Sequence, residues 1–512
     1  MEKIKEKPVL VIAGPGAGKT YDVVSEVVEV LPNLKPNRVL AVITYTNAAT
    51  DSIRGRLCKA AEIPPNVFIG TNHSFLNQFI LMPYATLFGH VSLDKLFLEI
   101  DVKEIVGQIL HKQFGKKTTR NYALKNRVRS QVIGKLLRNG MVPFGQIAEI
   151  AADLMQNEHV RDVVCNRIQY LFIDEFQDAD TYQFKVFDAI RKSKKTRIYA
   201  VGDPEQYILG FTYDGRPGRK PKFKNIPISK FVAQRHTNDR NRRSFSEIVD
   251  FTNHFHTEIS QTAIKGSSEH AGVFFILDTE MGAIISRYRE LTQVLETDGK
   301  RVTRFYLGYE NRTFEGCVSE YGLTPVSNDG VKVRGVLSES LKLVSAVVGL
   351  SQKQIREKYD LDHIDFRKLG IKLIKAINEG KVREEDEVIS FVKETLGLKS
   401  EFESVKLYGQ LRRLMNLLSR DELDSGDLHQ YTSIHKAKGL EADAVLVVAK
   451  TENELKKWLT TNEEERRKDT SDRCRIGFVG FSRAKQILCI ACKRQISDAL
   501  KDKLRTLGVH TL

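Results

Sequence analysis

A lysine and a threonine close the glycine-rich run Ala13-Gly14-Pro15-Gly16-Ala17-Gly18-Lys19-Thr20, directly behind the apolar residues Val9-Leu10-Val11-Ile12. A buried strand entering such a turn, with a periodic apolar stretch behind it, has the make-up of a phosphate-binding strand–loop–helix. Gly14, Gly16 and Gly18 let backbone N–H groups close around a β-phosphate. Ala13 stands where the general pattern has its first glycine, and Ala17 completes the loop. Lys19 brings a point charge to the β- and γ-phosphates, and the Thr20 hydroxyl is suited to Mg²⁺. The cofactors expected are a nucleoside triphosphate, in the first place ATP, and Mg²⁺.

Two further segments carry chemistry. In Leu171-Phe172-Ile173-Asp174-Glu175-Phe176-Gln177-Asp178, carboxylates appear at the C-terminal end of a buried strand, where open α/β sheets place ligands. Asp174 suits the Mg²⁺ shell, and Glu175 suits a general base that deprotonates an attacking water. Read alone, this is also an ordinary strand end with acidic loop residues. Val201-Gly202-Asp203-Pro204-Glu205-Gln206 follows another apolar strand, and Gln206 could hydrogen-bond a γ-phosphate and report its loss. The order of the three segments gives them meaning as one site.

Strands must hold these side chains. Apolar, β-branched runs recur at Val9–Ile12, Val39–Ile43, Tyr170–Ile173, Ile198–Val201, Val273–Ile276, Ala444–Val448 and Ile487–Ile490. Helical stretches separate them, which predicts parallel α/β units in two sheets. Residues 86–165 and 336–424 are mostly helical and charged and read as insertions. The basic loop Arg216–Lys224 marks a crossing between halves and could touch DNA, a partner or only solvent.

The 512 residues, 41% hydrophobic and 28% charged, are ordinary for a globular protein of several domains. Lys plus Arg outnumber Asp plus Glu by 80 to 65, a net charge of +15, which favours a polyanionic partner such as nucleic acid over a merely basic surface. The sequence lacks a membrane-spanning apolar run, and its charged first residues lack the apolar core of a signal peptide. The six cysteines do not form the pattern of a disulfide framework. Cys489 and Cys492, three apart on an expected strand, should face opposite ways and share no metal. A reducing, cytoplasmic setting is expected.

The order and spelling of these segments resemble superfamily 1 helicases of the UvrD/Rep/PcrA type, whose versions read AGxGxGKT, DExQD and GDPxQ. Thr44-Tyr45-Thr46-Asn47-Ala48-Ala49, Gly70-Thr71-Asn72-His73-Ser74-Phe75, Asn241-Arg242-Arg243-Ser244, Ser433–Glu441 and Arg475–Lys485 resemble further motifs of that family, so the likeness runs over nearly the whole chain. It implies an α/β fold of two RecA-like domains, the first from 1–85 and 166–225, the second from 226–335 and 425–512. The helical insertions are 86–165 and 336–424. By the same resemblance Arg243 and Arg483 reach the γ-phosphate as arginine fingers, and Glu441 holds the ribose. Tyr45 and Phe211 stack on single-stranded bases, and Thr46, Asn47, His73, Ser433 and His435 contact phosphate and sugar.

The resemblance implies a DNA-dependent NTPase acting on single-stranded DNA or DNA ends, with 3′→5′ translocation. The chain's small size is similar to the helicase-like subunit of Gabija anti-phage systems, which implies an OLD-type nuclease partner, an ABC-like ATPase joined to a Toprim domain. The family pattern is broken in three places. Tyr207–Asp214 lacks an aromatic and an Arg expected near DNA, the adenine-reading Gln segment has no room before Pro8, and Arg242 replaces a base-stacking Tyr. Relaxed base selectivity follows from the last two. Two other readings stay open: a regulatory subunit whose nucleotide state controls a nuclease with little strand separation, and a free-standing repair helicase. A phosphate-loop enzyme unrelated to DNA would need the later motifs to be coincidence.

Overall fold

The computed structural model describes residues 7–512 apart from 88–96, 209–229, 297–300, 327–333, 351, 362, 469–471 and most of 101–121 and 398–428. The first part of the chain supplies β1 (Val9–Ala13), β2 (Val39–Thr44), β3 (Val67–Thr71), β4 (Phe97–Ile100), β5 (Met141–Pro143), β6 (Ile168–Ile173), β7 (Arg197–Gly202) and β8 (Gln234–Asn238). Six of these form one parallel sheet in the order β3-β2-β6-β7-β1-β8. The later part supplies β9 (Arg240–Asn241), β10 (Thr262–Ala263), β11 (Gly272–Ile276), β12 (Arg304–Gly308), β13 (Thr324–Pro325), β14 (His429–Ser433), β15 (Ala442–Ala449), β16 (Ala484–Cys492) and β17 (His510–Thr511). Seven of them form a second parallel sheet, β13-β14-β12-β15-β16-β11-β17. The two parallel sheets with their covering helices are the RecA-like pair expected.

Alternation along the strands builds a core on each face of each sheet. In β1, Leu10 and Ile12 enter one core while Val11 and Ala13 enter the other. In β6, Leu171 and Ile173 separate in the same way from Tyr170 and Phe172. In β15, Val445 and Val447 face away from Ala444, Leu446 and Val448. Cys489 and Cys492 lie in different cores, one on each face of the second sheet. Such two-sided burial makes a strand a continuous apolar run, and the seven that the sequence marks are of this kind.

Of the unmarked strands, β12 (Arg-Phe-Tyr-Leu-Gly) is central and wholly buried but begins on the polar Arg304 and ends on glycine, and β3 lies at a sheet edge; others are polar or short. β8, Gln-Arg-His-Thr-Asn, is mostly exposed and joins the sheet edge by backbone pairing with β1. β14, His-Gln-Tyr-Thr-Ser, carries little apolar signal for a similar reason. The first insertion is not wholly helical, because β4 and β5 pair in parallel within it.

The described chain separates into two compact bodies, 1–326 with 429–512, and 327–428. The second body is helical: Arg334–Val348, Gln352–Lys358, His363–Asn378 and Glu385–Leu396 close over Leu343, Val344, Leu373, Val388 and Val392. Its last helix starts with a reciprocal Glu384–Glu387 capping box and stops at Gly397 in the left-handed conformation. Both sheets belong to the first body, and so does the whole candidate site. Among the described residues, no helix is long and apolar enough to cross a membrane.

Candidate active site

β1 ends at Ala13 and the chain turns through Gly16 (φ 74°) and Gly18 (φ 89°). An L side chain in that left-handed region costs about 1–2 kcal/mol, so glycine is the residue that lets the loop close. Gly18 also begins helix Lys19–Val30 without any side-chain cap, which leaves the positive end of the helix dipole directed at the loop. Lys19 is nearly buried; its Nζ donates to Ala13 O at 3.3 Å and Gly14 O at 3.5 Å, and lies 4.0 Å from Glu175 Oε1. Thr20 Oγ1 donates to Asp174 Oδ2 at 3.4 Å.

The carboxylates sit where β6 stops. Asp174 N still donates to Ile43 O of β2 at 3.0 Å, as though the strand continued. Glu175 then takes a left-handed backbone conformation (φ 52°, ψ 44°), unusual for a residue with a Cβ and costing about 1–3 kcal/mol. That turn brings its carboxylate toward Lys19, while Gln177 Nε2 donates to the other oxygen. Gln177 Oε1 in turn accepts from Asp203 N at 2.9 Å, which ties this strand end to that of β7.

The two acids are driven apart in charge. Burial, and then the neighbouring Glu175, push Asp174 up to about 7. Burial also acts on Glu175, but Lys19, Lys438 and Gln177 outweigh it and hold this carboxyl below its ordinary range. An ionised Glu175 is what a general base requires. A divalent cation on Asp174 would favour its charged form, and the adjacent Thr20 hydroxyl is a second hard oxygen, so the pair fits Mg²⁺. Among the described residues no group of three or more His, Cys, Asp or Glu could hold a metal. Mg²⁺ would therefore complete its shell with water and phosphate oxygens.

The later part of the chain meets this loop directly. Asn241 Nδ2 donates to Pro15 O at 2.9 Å, and Arg242 N donates to Gly16 O at 2.9 Å. Asn241 Oδ1 accepts from the backbone of Arg243 and Ser244, both at 3.0 Å, fixing the turn that presents Arg243. Arg243 Nε donates to Glu441 Oε2 at 2.6 Å, and Lys485 lies 3.2 Å from the other oxygen of Glu441. Arg483 is 1% exposed; its guanidinium donates to Gln206 Oε1 at 3.3 Å, Val479 O at 2.8 Å and Leu440 O at 3.3 Å. Burial, then the nearby Arg243, lower the Arg483 guanidinium to about 9, so it remains cationic at neutral pH. These contacts bring the loop Ala13–Thr20, with Gly14, Gly16, Ala17, Gly18 and Lys19, together with Asp174, Glu175, Gln206, Arg243, Arg483 and Glu441 where the two sheets meet.

Two aromatic contributors, Tyr21 and Phe144, have no signal in the sequence pattern, and one lysine of the Ser433–Glu441 motif takes a partner that the sequence does not name. Lys438 Nζ contacts Asp178 Oδ1 at 2.7 Å, bridging the two sheets' loops. Tyr21, 58% exposed in the first helical turn, and the exposed Arg242 flank Gly18: a methyl group there would lie 4.0 Å from Tyr21 Cβ and 3.8 Å from Arg242 Cδ. Phe144, 48% exposed, stacks on His73 with ring centroids 4.0 Å apart and planes inclined by 22°. A single exposed aromatic carries no periodic signature, so only tertiary structure reveals such a pair.

The residues expected at nucleic acid are placed less uniformly. Thr46 caps helix Asn47–Ala60 through Ala49 N, and Thr46 and Asn47 are exposed at its start. Tyr45 is half-buried against the first core, and its hydroxyl has no hydrogen-bond partner among the described residues. Burial and the carboxylates of Asp178, Asp180 and Glu175 push that phenol well up. Ser433 ends β14 with its backbone N–H bonded to Asn311 Oδ1 at 2.8 Å, and His435 meets the edge of Tyr309. Phe211 lies outside the described residues, as do Leu209–Asp214 and Arg216–Lys224.

Comparison with known proteins gives the same picture. Residues 1–212 match the family model for an AAA domain, and residues 231–495 match that for the UvrD-like helicase C-terminal domain. The Gabija protein GajB of Bacillus cereus (strain VD045) is 24% identical over 98% of this chain and 97% of its own length. A probable DNA helicase II homolog of Mycoplasma capricolum is 26% identical over 49% of this chain and 39% of its own. The ATP-dependent DNA helicase PcrA of Leuconostoc citreum is 25% identical over 48% of this chain and 37% of its own. With half of the chain covered by the UvrD-like model and both sheets meeting at one phosphate loop, the chain belongs to the UvrD-like family of ATP-dependent DNA helicases.

Proposed function

We propose that this chain hydrolyses ATP while sensing or translocating 3′→5′ along single-stranded DNA or DNA ends, as the helicase-like subunit of a Gabija-type anti-phage complex. Its partner would be an OLD-type nuclease, the GajA subunit. The carrying observation is the meeting of Glu175, Gln206 and Arg483 around one phosphate loop from two sheets; the partner rests on the full-length similarity to GajB. In this reading the loop from Ala13 to Thr20 holds the phosphates, and Thr20 with Asp174 holds Mg²⁺, which supplies positive charge to the phosphate oxygens. Glu175 takes the proton of the attacking water. Arg243 and Arg483 stabilise the negative charge developing on the transferred phosphoryl group. Glu441, paired with Arg243 and Lys485, offers its oxygens to the ribose hydroxyls.

DNA would run past Tyr45, Thr46, Asn47, His73, Phe211, Ser433 and His435. The Phe144–His73 stack adds a flat aromatic face on which a base can lie, worth about 1–3 kcal/mol per base and indifferent to sequence. The test is NTP hydrolysis with and without single-stranded DNA, followed by displacement of a strand from a 3′-tailed duplex, with and without the nuclease. Hydrolysis stimulated by DNA and strand release are expected. DNA-stimulated hydrolysis without strand release in either case would instead establish the regulatory subunit, a reading that the atypical Tyr207–Asp214 segment favours. Absence of any DNA effect would overturn both.

The base of the nucleotide is held, on this reading, between Tyr21 and Arg242, an aromatic face and a guanidinium plane that both tolerate any purine. Tyr21→Ala should raise KM for ATP by roughly tenfold, the loss of one stacking contact of 1–3 kcal/mol, with kcat nearly unchanged. GTP and dATP should be hydrolysed at rates comparable to ATP. Strict selection of ATP, or an unchanged KM in the variant, would refute this base site.

A further inference from the structure

The turn Asp203-Pro204-Glu205-Gln206 follows β7 of the first sheet, and the later part of the chain engages each of its polar side chains. Asp203 is fully buried. Its Oδ1 lies 3.0 Å from His256 Nε2, and its Oδ2 accepts from Gln206 Nε2 at 2.7 Å. His256 Nδ1 accepts from the backbone N–H groups of Glu258 at 3.2 Å and Ile259 at 3.1 Å, so the ring proton sits on Nε2 and points at Asp203. Glu205 is 1% exposed, with Oε1 accepting from Thr257 Oγ1 at 2.8 Å and Oε2 from Arg466 Nη2 at 2.6 Å. Arg466 is itself fully buried; it also donates to Thr460 O at 2.9 Å and lies over the Phe255 ring. Gln206 meets Arg483.

The carboxylates of Asp203 and Glu205 are engaged by these partners from the later part of the chain. Breaking a buried pair by removing one partner is strongly unfavourable. The turn and the later part of the chain should therefore move together. The same contacts run on into helix Arg473–Phe481: Arg475 Nη2 donates to Arg466 O at 3.2 Å, and Phe478 meets the His256 ring edge-on. That helix leads straight to Arg483, whose Nε donates to Val479 O within it.

We propose that the Asp203–Gln206 turn is a latched joint, in which Arg466, Thr257 and His256 are positioning residues that convert the response of Gln206 to the γ-phosphate into movement of the second sheet's helices. The latch rests on the nucleotide-site reading above and adds to it three residues that touch no nucleotide. It assigns them the coupling of hydrolysis to DNA and leaves the chemical step to others.

Trp458 is the chain's one tryptophan and is fully buried. Gly477 of helix Arg473–Phe481 lies against it so closely that a methyl group there would come within 2.5 Å of Trp458 Cβ. Its fluorescence therefore reports that helix without any label. The test compares wild type with Thr257→Val and with the double variant Glu205→Gln, Arg466→Met, which removes both charges of the Glu205–Arg466 pair while the amide of Gln keeps a polar group beside Arg475, 3.8 Å from Glu205 in the wild type. A thermal melt checks folding. In wild type, a non-hydrolysable ATP analogue with Mg²⁺ should change the Trp458 emission. In the double variant that change should vanish, and stimulation of kcat by single-stranded DNA should fall about tenfold, within the range of site-to-site coupling. KM for ATP and DNA-free hydrolysis should stay within about threefold, a split that simple misfolding does not produce. A folded double variant that keeps both the emission change and the stimulation overturns the latch, as does a wild type whose Trp458 ignores bound nucleotide. A Trp458 response that the variant loses, in a protein that DNA never stimulates, upholds the latch and overturns the DNA reading.

Discussion

Glu175→Gln is expected to lower kcat for ATP hydrolysis by about three orders of magnitude, within the 10²–10⁴ range of a positioned general base, while leaving nucleotide affinity within a few-fold. The amide keeps the shape of the side chain and can still contact Lys19 and Gln177, but it cannot accept the proton of the attacking water. The environment is arranged for that acceptance. Lys19, Lys438 and Gln177 hold Glu175 ionised against its own burial, while the adjacent Asp174 is pushed up to about 7. Two acids one residue apart are thereby given different tasks, the pattern by which acid and base assignments are recognised. The left-handed backbone at Glu175 (φ 52°) belongs to the same arrangement, since an extended residue there would continue β6 away from Lys19. Single-turnover hydrolysis and equilibrium binding of a fluorescent ATP analogue make the check. A variant that still turns over at more than about a tenth of the wild-type rate would remove Glu175 from the role of base. Lys19→Ala serves as the companion: it should abolish hydrolysis by weakening the grip on the phosphates, so that binding falls as well.

What the sequence disclosed about this site follows from where its information is stored. The phosphate loop, the Asp174–Glu175 strand end and Gln206 are each spelled within eight residues, because one strand, one turn and the start of one helix fix their geometry locally. Seven strands were legible for a related reason, since burial on both faces makes them unbroken apolar runs, while the central β12 was missed because Arg304 opens it. Contacts across the cleft have no such spelling. His256 meets Asp203 from 53 residues away, Lys438 meets Asp178 from 260, and Arg466 meets Glu205 from 261. His256 and Arg466 are single polar residues in stretches that, taken alone, read as solvated helix or loop, and Lys438, though inside the Ser433–Glu441 motif, does not name its partner there. Tyr21 was hidden differently, since it directly follows Thr20 yet looks like any exposed residue in a first helical turn. β8 and β14 were hidden by their polarity, because their place in the sheets depends on backbone pairing.

Arg483→Lys should reduce kcat by about 10³-fold or more, the range attributed to an arginine finger, with KM for ATP changed little. The guanidinium spreads its donors over Gln206 Oε1, Val479 O, Leu440 O and Ser482 Oγ, and a single ammonium cannot reach four acceptors set around a planar fork. Lysine preserves the positive charge near Glu175 and Asp203, so a large loss in that variant separates geometry from charge. Arg483→Ala leaves buried acceptors without a donor and is expected to destabilise the protein by about 1–3 kcal/mol as well, which makes the lysine variant the cleaner measurement. Gln206 and Arg483 touch, so their effects should not add. The double variant Gln206→Ala, Arg483→Lys should be little slower than Arg483→Lys alone, because Gln206 acts on the phosphate only when the guanidinium holds its amide oxygen. Additive losses in that cycle would mean that the two side chains serve the phosphate independently, and the joint between the sheets would then have to be sought in Asp203 and Glu205 alone.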